Sequence, residues 1–176
     1  MRASISLAEC TKLREQLTRE WRAIDLVPTL DDVVLRAAAR ALREVWGSVA
    51  RIGLRRIDGG SEQIALLAGA DDESFRIAVA ALAGSPREEA VADLVVTSFL
   101  NTSVEQADPR LDDGYFAITI GAERAGVVLE RNQPVHGLLA TLSLAYAPDS
   151  VPDSVAAAVL GRVCELVEAP YALLAD

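Results

Sequence analysis

The side chains that most often move protons or form covalent intermediates are scarce in this sequence. Its 176 residues include one histidine, His136, and one lysine, Lys12. A mechanism that needs two histidines is therefore excluded within one chain. Lys12 lies in a charged helical pattern, which leaves almost no candidate for a Schiff-base, lipoyl-carrier or P-loop lysine. Cys10 and Cys164 lie far apart without zinc spacing or a disulfide pattern, so we expect two thiols in a reducing compartment.

The stretch "TLSLAYAPDSVPDSVAAAVLGRVCELVEAPYALL" has a layout suited to presenting a catalytic group. A strand-like run enters a Pro/Asp loop, and a helix follows from about Ser154 to Glu168. Within that loop Asp149 could act as a base only if burial raised its pKa by roughly 2 or 3 units. Asp149 and Asp153 could together form a pair with raised pKa values or bind a metal ion. The polar, proline-broken loop favours a solvated pair instead. Tyr146 is either a general acid or hydrogen-bond donor, or a packed residue at a strand end.

Other chemical motifs are weak or missing. His136 alternates along a strand in "PVHGLLATL", as a surface residue or as one that contacts an interface or ligand. "DGG" at 58–60 and "DDG" at 112–114 are turn signals. There is no glycine-rich phosphate loop, nucleophile elbow or H-E-x-x-H motif, so no metal site is expected.

The charge and hydropathy of the sequence restrict the kinds of partner that the protein is expected to bind. Lys+Arg number 17 against 26 Asp+Glu, for a formal net charge of −9. Nucleic acids and anionic membranes need a basic face, so neither is expected. No apolar run reaches the roughly 18 residues of a membrane span. The amino-terminal segment becomes charged too early for a secretory signal, which makes the cytoplasm the default location.

Helical periodicity predicts two amino-terminal helices. "SLAECTKLREQLTREW" opens with a capping box in which Ser6 and Glu9 would exchange hydrogen bonds. "PTLDDVVLRAAARALREVW" is the clearest helix, with Thr29 as its N-cap, an apolar stripe toward the core and its arginines outward.

Strand patterns make up most of the remainder. Segments 50–58 and 62–69 flank a "GGS" hairpin signal, and a short helix and the strand "DLVVTSFL" follow. Three further strands at 115–121, 124–131 and 134–146 are expected to form a meander. The prediction is one α+β domain over residues 1–176, with flanking helices on a mostly antiparallel mixed sheet.

Several blocks, in order, resemble the catalytic domain of the dihydrolipoyl acyltransferases of 2-oxo acid dehydrogenase complexes, which shares the chloramphenicol acetyltransferase fold. The blocks are "ISLAECTKLREQL", "LDDVVLRAAARALRE", "SPREEAVADLVVTSFLN", "DGYFAITIGA" and the carboxyl-terminal stretch quoted above. The last is similar to the family's "TLSfDHRvxDGAxaAxFL" segment. The family's leading helix and its lipoyl and peripheral-subunit-binding domains are expected to be absent.

The resemblance implies a trimer with an active site at the subunit interface. In the family, a histidine of the His-x-x-x-Asp-Gly motif is the base, a serine or threonine of a "TISNLG"-like segment of the partner subunit stabilises the oxyanion, and the aspartate holds the loop. Ser98 matches the serine, with Thr97 beside it, although Ser98 could equally be a strand residue with a satisfied hydroxyl. Thr97, Asn101 and His136 are candidate ligand contacts.

The resemblance finds no histidine at the position of the base. Without a gap this position is Tyr146. With a short insertion it is Asp149, a register that is favoured because Asp153 then keeps the motif's aspartate and Ser154 replaces its glycine. His136 lies ten residues upstream.

Three functions remain open. The first is a non-catalytic or repurposed homologue that binds a small molecule or partner in an inter-subunit cleft. The second is an acyltransferase that uses a CoA-like thioester as substrate, with Ser98 as oxyanion stabiliser. The third is a cyclase or isomerase of a biosynthetic pathway. No bound cofactor is expected, and the partners would be a homotrimer or larger homo-oligomer, or a complete homologue in a mixed trimer.

Overall fold

A computed structural model describes residues 1–47, 51–58, 61–68, 74–84, 92–111, 114–130 and 132–174. The helices are α1 (Ala8–Glu20), α2 (Leu30–Trp46), α3 (Phe75–Gly84) and α4 (Asp153–Glu168). The strands are β1 (Arg2–Ser6), β2 (Arg51–Asp58), β3 (Ser61–Ala68), β4 (Leu94–Ser98), β5 (Phe116–Ile120), β6 (Arg124–Glu130) and β7 (Gln133–Tyr146). Short 3₁₀ turns span Arg22–Ile24 and Pro170–Leu174.

The seven strands form one mixed sheet, in the order β1-β7-β5-β4-β2-β3, with β6 paired to β7 outside this path. The pairs β2–β4 and β4–β5 are parallel, and the pairs β1–β7, β2–β3, β5–β7 and β6–β7 are antiparallel. The predicted α+β class with a mostly antiparallel mixed sheet is confirmed. The predicted meander is wrong, because β5 pairs with β7 rather than with β6.

One face of the sheet carries the core. Alternate residues of neighbouring strands stand in register there, so that Val96 pairs with Leu54 on one side and Ile118 on the other. These side chains are buried with the inner faces of α1, α2 and α4. Burial of this apolar face is the main contribution to stability.

Helix α2 is buried on more than one side. Its capping box joins Thr29 and Asp32, which confirms Thr29 as the N-cap. The expected outward orientation of the arginines is wrong for Arg36, which is 2% exposed. Asp31 and Asp32 are buried as well, so the amino-terminal half of this helix carries charges into the interior.

The capping box predicted for α1 does not form. Leu7 is the N-cap residue and makes no side-chain capping bond. The Ser6 backbone N–H donates to Glu168 Oε1 at 3.2 Å, and the Glu9 carboxylate pairs with Lys12 at 2.6 Å. Both groups that a capping box needs are therefore used elsewhere.

The predicted β2–β3 hairpin is confirmed by the pairing of Asp58 with Ser61, while the turn residues 59–60 and 112–113 lie outside the described part of the chain. None of the described helices is long and apolar enough to cross a membrane.

Candidate functional site

Ser98 is the last residue of β4 and is 3% exposed. Its Oγ accepts a hydrogen bond from the backbone N–H of Leu100 at 3.3 Å. A hydroxyl has one proton as well as two acceptor lone pairs, so this bond leaves the Ser98 proton available to a further acceptor. An oxyanion is such an acceptor, and a buried donor stabilises it more than an exposed one does.

Arg56 lies beside Ser98. In the parallel pairing of β2 with β4, these two residues are register partners. Their Cα atoms are therefore about 5 Å apart and their side chains leave the same face of the sheet. That face is the one that packs against α2, which brings a guanidinium to the start of this helix.

At the start of α2, Arg56 holds two buried carboxylates. Its Nε donates to Asp31 Oδ2 at 3.1 Å, and its Nη2 donates to Asp32 Oδ1 at 2.9 Å. Nη2 also lies 3.3 Å from Thr29 Oγ1. The carboxylate side chains are each 4% exposed, against 25% for Arg56. We call these four residues, Thr29, Asp31, Asp32 and Arg56, the α2 cluster.

The two carboxylates of the α2 cluster are not equally satisfied. Asp32 Oδ2 accepts from the Thr29 backbone N–H and hydroxyl, both at 2.8 Å, in addition to the Arg56 bond at Oδ1. Within the described part of the chain, Asp31 Oδ1 is buried and accepts no hydrogen bond. Burial raises the pKa of Asp32, an effect that its bonds to Thr29 and the charge of Arg56 only partly oppose.

A cleft of about 640 Å³ opens next to the α2 cluster. Leu100 and Asn101, which follow Ser98 closely, form one wall, so the cleft adjoins the end of β4. The lining residues are Arg14, Glu15, Thr18, Arg19, Val27, Pro28, Thr29, Leu30, Asp31, Leu100, Asn101 and Glu123. A cleft of this size accommodates a small organic molecule.

The second group of predicted residues lies at the start of the loop between β7 and α4. Tyr146 ends β7, and its hydroxyl donates to Asp153 Oδ1, at the start of α4, at 2.7 Å. This bond raises the pKa of the Tyr146 phenol, with smaller contributions from desolvation and the Asp153 charge. Asp149 is exposed in the turn between them.

The two groups lie at opposite ends of the central strands. Ser98 is in register with Ile120, which pairs with Leu142, whereas Tyr146 pairs with Phe116. Four residues of strand therefore separate the two ends, or about 13 Å along the sheet. One chain brings Ser98 near Asn101, and Tyr146 near Asp153, but it does not bring the two groups together.

The other predicted contacts lie apart from the cleft. Thr97 leaves the sheet on the face opposite Ser98, in register with Thr119. His136 is exposed in the β6–β7 hairpin, where it pairs with Val127. Among the described residues, no three His, Cys, Asp or Glu side chains are grouped to hold a metal ion.

Sequence reasoning missed the α2 cluster. Asp31 and Asp32 in the first turn of α2 interact favourably with the helix dipole, which is by itself a sufficient local reason for acids at these positions. The available signal was the pair Arg55–Arg56 inside a strand otherwise rich in apolar residues. A charge on the core side of a strand requires a buried partner.

Solved structures of other proteins have a similar architecture. The dihydrolipoamide acetyltransferase of Azotobacter vinelandii, studied for the roles of a serine, a histidine and an asparagine in its catalytic mechanism, superposes with a TM-score of 0.80 at 16% identity. The alignment covers 99% of this chain and 82% of that one. The chain has the acetyltransferase catalytic-core fold.

Two further structures support this assignment. The cubic core of the pyruvate dehydrogenase multienzyme complex gives a TM-score of 0.80 at 16% identity, over 99% of this chain and 82% of that one. A chloramphenicol acetyltransferase gives 0.61 at 7% identity, over 95% and 86%. The predicted chloramphenicol acetyltransferase-like fold is thus confirmed. No protein-family model and no curated protein matches the sequence.

Proposed function

We propose that this protein is a non-catalytic or repurposed relative of the acyltransferases whose fold it shares, and that it binds a small molecule in the cleft beside Ser98. The observation that carries this proposal is the Tyr146–Asp153 pair at the start of the β7–α4 loop. In the family that the sequence resembles, this loop supplies the base.

A tyrosine in this setting is not a base at neutral pH. A general base must be unprotonated and have a pKa near the working pH. The Tyr146 phenol has its pKa raised and already donates its proton to Asp153. Asp149 is exposed in the turn between β7 and α4, where water surrounds its carboxylate. His136 is ten residues from Tyr146 on a strand that rises about 3.3 Å per residue, which places it roughly 30 Å away in its own chain.

Homo-oligomer formation belongs to the same proposal. Ser98 and Tyr146 lie at opposite ends of the central strands, so a site that includes both needs a second copy of the chain. A cubic multienzyme core has subunits of similar fold. We therefore expect a trimer, or a larger assembly of trimers, in solution. Sedimentation equilibrium gives the test: a mass of one 18.7 kDa chain would contradict an inter-subunit cleft.

The absence of acyl transfer is tested with acetyl-CoA as donor and dihydrolipoamide as acceptor, with released CoA measured by chromatography. The wild-type protein and Ser98→Ala are expected to give the same rate as buffer. CoA release that the wild type accelerates and Ser98→Ala abolishes would overturn the proposal.

One observation favours the alternative of a working acyltransferase. The Ser98 hydroxyl is buried and its proton is available, as an oxyanion donor requires. In that case a CoA thioester would be the substrate and the base would come from elsewhere, for example from a complete homologue in a mixed trimer. The protein and its Ser98→Ala variant are each coexpressed with such a homologue, and CoA release is measured. Release that depends on Ser98 would show that this chain supplies its serine to a site whose base lies in the homologue.

A further inference from the structure

We infer that one face of the β6–β7 hairpin is the surface on which a second copy of this chain packs. This inference rests on the proposed function, since it names the surface that joins the copies in the expected homo-oligomer. We call this surface the outer face, and its residues alternate along the two paired strands. They are all exposed and are Ala125, Val127, Leu129, Pro134, His136 and Leu138.

The outer face exposes a contiguous apolar surface. Leu129 is 74% exposed, Val127 59% and Leu138 36%. Because Val127 is in register with His136, and Ala125 with Leu138, these side chains are neighbours across the two strands. A contiguous exposed apolar surface marks an interaction site, whereas single exposed apolar residues do not. A two-stranded hairpin is only marginally stable alone in water, so a protein surface packed on this face would stabilise it.

The inner face of the hairpin is already covered. Gly126 and Gly137 are register partners there, and a Cβ atom at Gly126 would collide with the side chain of Leu139. Val128 and Val135, on the same face, line a second cleft whose other residues belong mainly to β1 and α1. The chain therefore supports the hairpin from the inner side, whereas no described residue buries the outer face.

The outer face continues the face of the sheet that the helices cover. Ala140, Leu142 and Leu144 follow Leu138 at alternate positions of β7 and are buried in the core. The hairpin extends this apolar face past the cover that α1, α2 and α4 provide. An apolar layer from outside the chain would continue the core there.

Charge favours a second copy as that layer. The chain has a formal net charge of −9, so two copies repel each other over most of their surfaces. The outer face contains no Asp, Glu, Lys or Arg. Two copies can therefore meet there without opposing like charges, and depletion of charge is typical of the centre of an interface.

The position of the hairpin also favours a second copy. Ser98 is in register with Ile120, which pairs with Leu142. The hairpin begins at Leu139 and runs away from Tyr146, so it projects past the end of the sheet at which Ser98 lies. A copy packed on the outer face lies beside that end, where an inter-subunit site that includes Ser98 needs it.

The first experiment compares Leu129→Glu with Ile77→Glu by sedimentation equilibrium. Ile77 is the matched control, because it is an apolar residue of α3 that is 48% exposed. Leu129→Glu would bury a charge between two copies and is expected to weaken their association by at least about tenfold. Ile77→Glu is expected to keep the wild-type mass. Wild-type association of Leu129→Glu would overturn the inference, and so would equal dissociation of the two variants.

The second experiment uses the wild-type protein alone, with carbon-13-labelled methyl groups and a soluble gadolinium chelate. In a single chain the chelate reaches both Leu129 and Ile77, and Leu129 is the more exposed. In the oligomer a second copy would shield Leu129, so its methyl groups are expected to relax more slowly than that of Ile77. Faster relaxation at Leu129 would show that the copies meet elsewhere and would overturn the inference.

Failure here is distinguishable from failure of the proposed function. Ser98-dependent CoA release would overturn the non-catalytic proposal without changing the relaxation of Leu129. A wild-type mass of one chain would contradict the inter-subunit cleft and this interface together. A wild-type oligomer with an accessible Leu129 would contradict this interface alone.

Discussion

The two ends of the central strands differ in how their polar groups are held. At the end of β4, Ser98 and the α2 cluster are buried, and Arg56 bridges two carboxylates from inside the fold. At the other end, Tyr146 of β7 donates one hydrogen bond to Asp153 at the start of α4, on the surface of the protein. The end of β4 therefore has hydrogen-bond donors that are fixed in position and shielded from water. At the end of β7, water can compete for the hydrogen bond between Tyr146 and Asp153.

This difference bears on the proposed function, because in the family that the sequence resembles one end stabilises an oxyanion and the other supplies the base. An oxyanion donor gains strength from burial. A base needs a pKa near neutrality, whereas the hydrogen bond to Asp153 raises the pKa of the Tyr146 phenol above its usual value. The buried environment of Ser98 suits the first role, and the proposal that the chain is non-catalytic depends on the second role being unfilled.

The largest expected effect comes from removing Arg56. Arg56→Met leaves Asp31 and Asp32 buried without their cation, so the free energy of unfolding should fall by about 3–5 kcal/mol. Arg2→Ala breaks a salt bridge with Asp108 in which the side chains are 49% and 86% exposed, and it should cost less than about 1 kcal/mol. Urea denaturation of both variants measures these values. Similar losses would show that the α2 cluster is no more tightly coupled to folding than a surface pair.

A smaller effect is expected at the helix caps. Thr29→Ala removes an observed capping bond to the Asp32 backbone N–H, and should destabilise the protein by about 1–2 kcal/mol. Ser6→Ala is the matched control, because Leu7 and not Ser6 is the N-cap of α1, and within the described residues the Ser6 side chain accepts only a 3.4 Å bond from Ala8 N–H. Ser6→Ala should lower the free energy of unfolding by less than about 0.5 kcal/mol. A larger loss for Ser6→Ala than for Thr29→Ala would reverse this assignment.

The smallest effect concerns the exposed end. The pKa of Tyr146 is raised above its usual 10.0, chiefly by its hydrogen bond to Asp153. The hydrogen bond therefore contributes to stability below pH 10, and this contribution is lost as pH rises through the higher folded-state value. The near-ultraviolet absorbance of the wild type is measured as pH rises, and the curve of Tyr146→Phe is subtracted from it. The difference should show a phenol that ionises above pH 10, and Asp153→Asn should lower the midpoint of this ionisation. A midpoint unchanged by Asp153→Asn would rule out Asp153 as the cause.

Local patterns predicted the helices and strands well. The stripe of α2 and its Thr29 cap lie within one contiguous segment, where spacing alone indicates which residues face the core. The Ser6 capping box failed for a non-local reason. Glu168, at the far end of the chain, occupies the backbone N–H that Glu9 would have accepted from.

The candidate site was predicted in part. The order of motifs led to Ser98 and Tyr146, whose neighbours on the chain identify them. It did not lead to Arg56, because nothing adjacent in sequence explains a charge on that strand. Its partners Asp31 and Asp32 are more than twenty residues away and meet it only when β2 packs beneath α2.

The order of amino acids is enough to predict the α+β class and the positions of most elements, and it contains one imidazole. Each of these follows from composition or from a short repeating pattern. The folded structure was needed to show that Ser98 and Tyr146 lie at opposite ends of the central strands, and that Arg56 pairs with two buried carboxylates beside a cleft. Such facts depend on strand register and helix packing, which bring distant residues together because burial of apolar surface is shared by the whole fold.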